Sequence, residues 1–95
     1  MYVYILLCSD GSYYTGVTSD LEKRLTQHNT GYFTTCYTFY RRPLQLVFYE
    51  GFLSIVKSIE IEKQIKKWSR KKKEALIRGD FALLKEFAKK KIMKD

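Results

Sequence analysis

The chain has 95 residues, 45% hydrophobic and 16% aromatic, with one proline and five glycines, which suits one small domain over residues 1–95 and argues against a low-complexity chain. No apolar run approaches the roughly 18 residues that cross a bilayer, the start "MYVYILLCSDG" lacks the features of a signal peptide, and two cysteines with one histidine make neither a disulfide framework nor a zinc site. The net charge of +8 is uneven, with five basic and six acidic residues over 1–62 but thirteen and four over 63–95, so a polyanionic partner, nucleic acid or an anionic membrane, competes with a merely solvated lysine-rich surface.

In chain order, "YVYILLCS" and "SYYTGVT" are two runs of β-formers around Asp10-Gly11, and they predict a β-hairpin. "SDLEKRLTQHNTG" predicts a helix, with Ser19 or Asp20 as N-cap, Leu21 and Leu25 on one face and Gly31 at the stop. "YFTTCYTFYRR" has no clean period and reads as a loop. Cys8 and Cys36 read as buried thiols in a reducing compartment. "PLQLVFYEG" predicts a third strand with Pro43 at its start, where a missing N–H does least harm. Beyond Leu53 the pattern is helical: "SIVKSIEIEKQIKKWSR", then "KKKEALIRG" ending at Gly79, then "DFALLKEFAKKKIM" opened by Asp80 as N-cap. The order β-β-α-β-α-α-α implies an α+β (α/β) domain, a small three-stranded and mainly antiparallel sheet flanked by helices.

Two helices carry residues that composition alone does not explain. On a helical wheel at about 100° per residue, Ile55, Ile59, Ile61, Ile65 and Trp68 share one wide arc, and Glu62 lies inside it. A carboxylate among apolar residues needs a cation, a metal or hydrogen-bond donors; Lys66, one turn on, is the plain structural partner. In the earlier helix, Arg24 and His28 are four apart and lie beside the leucine face. An arginine there is a good phosphate ligand if it faces the hairpin tyrosines, Tyr4 and Tyr14.

The order and spacing of these residues resemble the GIY-YIG nuclease family, in its small stand-alone bacterial kind. The first motif stands as "YVY" (Tyr2–Tyr4) and the second as "YTG" (Tyr14–Gly16). "VTSDLEKRLTQHN", the loop "GYFTTCYTFYRRPLQLVFYE" and the later "EKQIKKW" extend the match over nearly the whole chain. The resemblance implies a GIY-YIG endonuclease-like fold and metal-dependent hydrolysis of DNA phosphodiester bonds in the cytoplasm, in repair or recombination. Residue by residue, it implies that Glu62 holds one divalent ion, Mg2+ or Mn2+, and that Tyr4 and Tyr14 are the motif tyrosines, one of which helps activate water. A phenol loses its proton only near pH 10, so a tyrosine base needs a cationic neighbour to lower its pKa. Arg24 then stabilises phosphoryl charge, with His28 assisting. The basic run Lys66, Lys67, Arg70, Lys71, Lys72 and Lys73 supplies phosphate contacts, which position a nucleic acid rather than read it; tight sequence recognition would need a protein partner.

The chain departs from the family pattern at three places. Tyr2 stands where the first motif has glycine, Thr15 where the second has isoleucine, and the asparagine that many members place after the metal helix has only Asp80 near its position. These departures keep a second reading open, a non-catalytic nucleic-acid-binding or adaptor module that retained the fold. A membrane-surface protein, suggested by the basic amphipathic "FALLKEFAKKKIM", ranks third because its apolar face is needed for packing.

Overall fold

In the computed structural model, which describes residues 1–80, strands β1 (Tyr2–Leu7) and β2 (Tyr13–Thr18) form the expected hairpin. Its turn is longer than the Asp10-Gly11 pair. Cys8 N–H donates to Ser12 O at 2.8 Å and Gly11 N–H to Cys8 O at 2.9 Å, while Asp10 Oδ1 accepts from Ser12 N–H at 3.0 Å. Gly11 takes φ +84°, a left-handed conformation that a side chain would resist. Strand β3 (Gln45–Gly51) pairs with the other edge of β1, giving an antiparallel sheet of order β2-β1-β3 with a bulge in register between Ile5 and Leu6. It begins two residues after Pro43, because the Leu44 N–H is taken by Asn29 Oδ1 at 2.9 Å.

Helix α1 (Leu21–Asn29) is capped by Asp20, which accepts from Lys23 N–H at 3.1 Å; of the two N-cap candidates, aspartate is the one used. The chain from Thr30 to Leu44 is mostly irregular, as its lack of period implied, and holds one short 3-10 turn over Phe39–Arg41. Helices α2 (Ile55–Lys67) and α3 (Arg70–Ile77) are capped by Ser54 and Ser69, which accept from Lys57 N–H and Lys72 N–H. The break between them therefore falls at Trp68-Ser69, earlier than expected, because the Ser69 hydroxyl satisfies a free N–H of the next helix. The helix expected over "DFALLKEFAKKKIM" lies outside the described residues.

The alternation of β1 explains how both sheet faces are covered. Val3 and Ile5 point to one face, where they pack with Phe48, Ile61, Ile65 and Leu76 under α2 and α3. Tyr4, Leu6 and Cys8 point to the other, with Leu44 and, from α1, Leu21 and Leu25. A strand buried on both faces needs a continuous apolar run, and "VYIL" is buried throughout. Burial on α2 is narrower than the wheel suggests. Ser58, Ile61, Glu62 and Ile65 are buried, but Ile55 and Ile59 are 59% and 37% exposed. Glu62 thus sits at the edge of the packed stripe rather than in its middle.

Candidate active site

The tyrosines of the hairpin meet the polar residues of α1 on the second sheet face. Tyr4 is completely buried, and its hydroxyl lies 3.0 Å from His28 Nε2. His28 is itself 2% exposed, the one buried residue of α1 and deeper than either leucine of that helix. Its other ring nitrogen, Nδ1, is 2.9 Å from the hydroxyl of Thr38, which is 1% exposed. Tyr14 on β2 meets His28 edge-on, with ring centroids 5.3 Å apart, and stacks on Tyr37 at 6.4 Å. Phe33 closes the other side of the imidazole at 5.1 Å and also lies under the Arg24 guanidinium at 5.4 Å.

This arrangement depends on Gly16. The register sets Gly16 opposite Tyr4, and the tyrosine ring folds across it. A Cβ at residue 16 would lie 2.5 Å from Tyr4 Cζ, with the hydroxyl oxygen nearer still. The glycine of "YTG" is therefore a steric requirement of the tyrosine it faces.

Arg24 reaches the same place from α1. Its charge acts on the Tyr4 hydroxyl, and it lines a polar cleft with Thr18, Ser19, Asp20, Lys23 and Gln27. Burial nevertheless keeps the Tyr4 hydroxyl above the ordinary phenol value, outweighing the opposite pull of Arg24. Tyr14 is pushed up further, by burial first and then by the neighbouring Cys36. The cationic neighbour that a more acidic tyrosine requires is present, but desolvation wins, and both groups stay protonated at neutral pH. For His28, burial and then the Arg24 charge both lower the pKa, so the ring is neutral and able to take a proton.

Glu62 approaches from α2, near enough for its charge to raise the Tyr4 hydroxyl as well. It is 7% exposed, and its Oε2 lies 3.3 Å from Lys66 Nζ without forming a hydrogen bond of good geometry. Lys66 is half exposed and its flexible stem can turn to water. One carboxylate with an unsatisfied buried oxygen suits a hard divalent ion that keeps most of its waters. Among the described residues, no cluster of three acidic, histidine or cysteine groups gathers into a fuller protein cage.

Of the sequence-derived candidates, Tyr4, Tyr14, Arg24 and His28 thus converge directly, with Glu62 adjacent. The basic set lies apart, on the end of α2 and on α3. Lys67, Lys71 and Lys72 are exposed, with Lys72 over the Trp68 ring at 4.9 Å. Lys73 is half-buried, which lowers its pKa. Arg70 is engaged inside the protein: it donates to Gly11 O at 2.6 Å, covers the Tyr13 ring at 4.6 Å and pairs with Glu74 at 3.4 Å. Sequence reading missed Thr38, Phe33 and Cys36 as site residues, because they stand in a stretch with neither period nor charge pattern. Cys36 is also partly exposed, against the expectation of two buried thiols; only Cys8 is buried, and both are free. The two departures within the motifs stay clear of the polar cluster. Tyr2 packs edge-on against Tyr49 at 6.3 Å, and Thr15 is buried with no hydrogen-bond partner for its hydroxyl.

Residues 1–75 match the model of the GIY-YIG catalytic domain. The chain belongs to the GIY-YIG family. Its relatives are small proteins of the group named UPF0213. One from Syntrophus aciditrophicus is 49% identical over 81% of this chain and 88% of its own length. Another, from Staphylococcus saprophyticus, is 47% identical over 80% of this chain and 92% of its own. The solution NMR structure of a UPF0213 protein from Bacillus halodurans aligns with a TM-score of 0.54 at 41% identity, covering 84% of this chain and 87% of that one. The fold is therefore of the nuclease type, and no helix of the described residues is long and apolar enough to cross a membrane.

Proposed function

We propose that this GIY-YIG protein is a divalent-metal-dependent endonuclease that hydrolyses DNA phosphodiester bonds, in repair or recombination. The observation that carries the reading is the buried Tyr4–His28 hydrogen bond with Arg24 beside it, and Arg24 itself lines a polar cleft. Arg24 is placed to meet non-bridging phosphate oxygens, for which its fork of donors is suited. The tyrosine pair takes the proton of the attacking water, with His28 Nε2 as the acceptor behind Tyr4. Glu62 would hold the Mg2+ or Mn2+ ion, which when bound polarises a phosphoryl oxygen and lowers the pKa of a coordinated water. Lys67, Lys71 and Lys72 would contact backbone phosphates, and a protein partner would supply sequence selection. Two free cysteines fit a reducing cytoplasm.

One observation favours the second reading, a non-catalytic nucleic-acid-binding or adaptor module: Tyr4 is wholly buried, so its hydroxyl has no direct path to a substrate. Cleavage of branched, single-stranded and duplex DNA with magnesium or manganese, beside an EDTA control, separates the two. Metal-dependent cleavage that Arg24→Ala strongly reduces, with binding retained, supports the enzyme. Binding with every substrate left intact under both metals would favour the adaptor.

A further inference from the structure

We propose that Thr38 is a positioning residue of this site: by accepting a hydrogen bond from His28 Nδ1 it leaves His28 Nε2 unprotonated, as the acceptor for the Tyr4 hydroxyl. A neutral imidazole carries one proton, and the partner of one nitrogen decides the state of the other. The Thr38 hydroxyl is 2.9 Å from Nδ1, and the Tyr4 hydroxyl is 3.0 Å from Nε2. All three side chains are at least 98% buried, so no bulk water substitutes for a missing partner.

The direction of the Thr38 bond follows from the chemistry of the two hydroxyls. Either hydroxyl can donate or accept, but the phenol of Tyr4 is the more acidic donor and the weaker acceptor of the two. The bare ring nitrogen therefore faces Tyr4, the Thr38 oxygen meets Nδ1 as an acceptor, and the ring proton sits on Nδ1. Nε2 then keeps its lone pair toward Tyr4, and the tyrosine donates. The backbone holds this geometry: Arg41 N–H donates to Thr38 O and Phe39 N–H to Cys36 O, each at 3.0 Å, and a β-branched side chain has few rotamers to choose from. One chain of buried side chains thus runs Tyr4, His28, Thr38. The 30–44 segment, which carries no sequence motif of its own, thereby orients Tyr4 through His28.

The consequence for reaction rests on the hydrolytic reading above, but the tautomer does not. His28 is the only histidine in the chain, so nitrogen-15 NMR of histidine-labelled protein reads its two ring nitrogens without ambiguity. In the wild type, Nδ1 should be the protonated nitrogen and Nε2 the bare one. Thr38→Val keeps the shape, removes the acceptor and should move the proton to Nε2; Thr38→Ser should preserve the wild-type pattern. Thr38→Ala serves in place of valine if that variant does not fold. If the protein cleaves DNA, Thr38→Val should lower kcat about 10-fold or more while KM holds, with Thr38→Ser restoring it, the scale of losing part of an acid–base contribution. A wild-type spectrum with the proton on Nε2, a Thr38→Val spectrum matching the wild type, or unchanged kcat in a cleaving Thr38→Val enzyme would overturn the proposal. The expected tautomers in a protein that cleaves nothing would support the positioning role and count against the nuclease reading alone.

Discussion

Gly16→Ala tests whether the Tyr4 ring is held as tightly as the packing implies. The new methyl carbon would sit 2.5 Å from Tyr4 Cζ and 3.0 Å from Cε1, well inside contact distance. Relief requires either the ring or the strand to move. The ring is wholly buried among Leu6, Cys8 and Leu44 and bonded to His28, and β2 is locked to β1 along six paired residues. Neither moves freely, so the cost belongs with overpacked cores, about 1–3 kcal/mol. For a domain of this size that lowers Tm by roughly 4–8 °C per kcal/mol, measurable by thermal or urea unfolding followed by circular dichroism. The cause is checked with Tyr4→Leu, which removes the three atoms nearest the new carbon. In that background Gly16→Ala should cost almost nothing, a coupling of the size expected for side chains in contact. An unchanged Tm in Gly16→Ala, or a penalty that persists in the Tyr4→Leu background, would refute the steric account of this glycine.

Three further outcomes are expected. Glu62→Gln should abolish metal-dependent cleavage and weaken Mn2+ binding by calorimetry while the fold persists, since glutamine keeps the shape of the side chain and the partner Lys66, half exposed, can turn to water; full activity in a folded variant would remove Glu62 from the site. Thr15→Val should raise stability by about 1–2 kcal/mol in urea unfolding, because it removes a buried hydroxyl without a partner; a loss of stability would show that the hydroxyl is satisfied. DNA affinity should fall steeply with salt, and charge reversal at Lys67, Lys71 and Lys72 should weaken binding to all sequences alike and flatten the salt slope by roughly 1 for each phosphate no longer neutralised, as read by fluorescence anisotropy; salt-independent binding would contradict a phosphate-dominated interface.

How much of this was legible depends on what each residue answers to. The sheet and the helix caps answer to local rules, the alternation of β-formers around a glycine turn and a serine or aspartate ahead of an apolar period, and these stand in the sequence. Tyr4, Tyr14, Arg24, His28 and Glu62 could be picked out because their order matched a known pattern, and the wheel added that Glu62 was out of place among isoleucines. The wheel also misled. It grouped residues by angle, whereas burial depends on which part of the arc the sheet covers, and Ile55 and Ile59 lie beyond that part. Nor could the sequence balance charge against desolvation at the tyrosines. Arg24 promises a lower pKa and does pull that way, but the depth at which Tyr4 sits decides the sign, and depth is a property of the packed fold.

Thr38 marks the limit most sharply. Its neighbours His28 and Cys36 are ten and two residues away, and neither spacing belongs to a helix face or a strand pair, because the loop has no repeating geometry. Its role exists only because the chain from Thr30 to Leu44 folds back over α1 and seals the imidazole from water. That seal has a chemical consequence. An exposed histidine exchanges its ring protons with solvent and has no fixed tautomer, whereas one held between two hydroxyls, with phenyl and phenol rings packed against it, is committed to one hydrogen-bond direction. On the proposed reading the motif tyrosines provide the reactive groups, and the loop without a motif sets which way the proton of Tyr4 points.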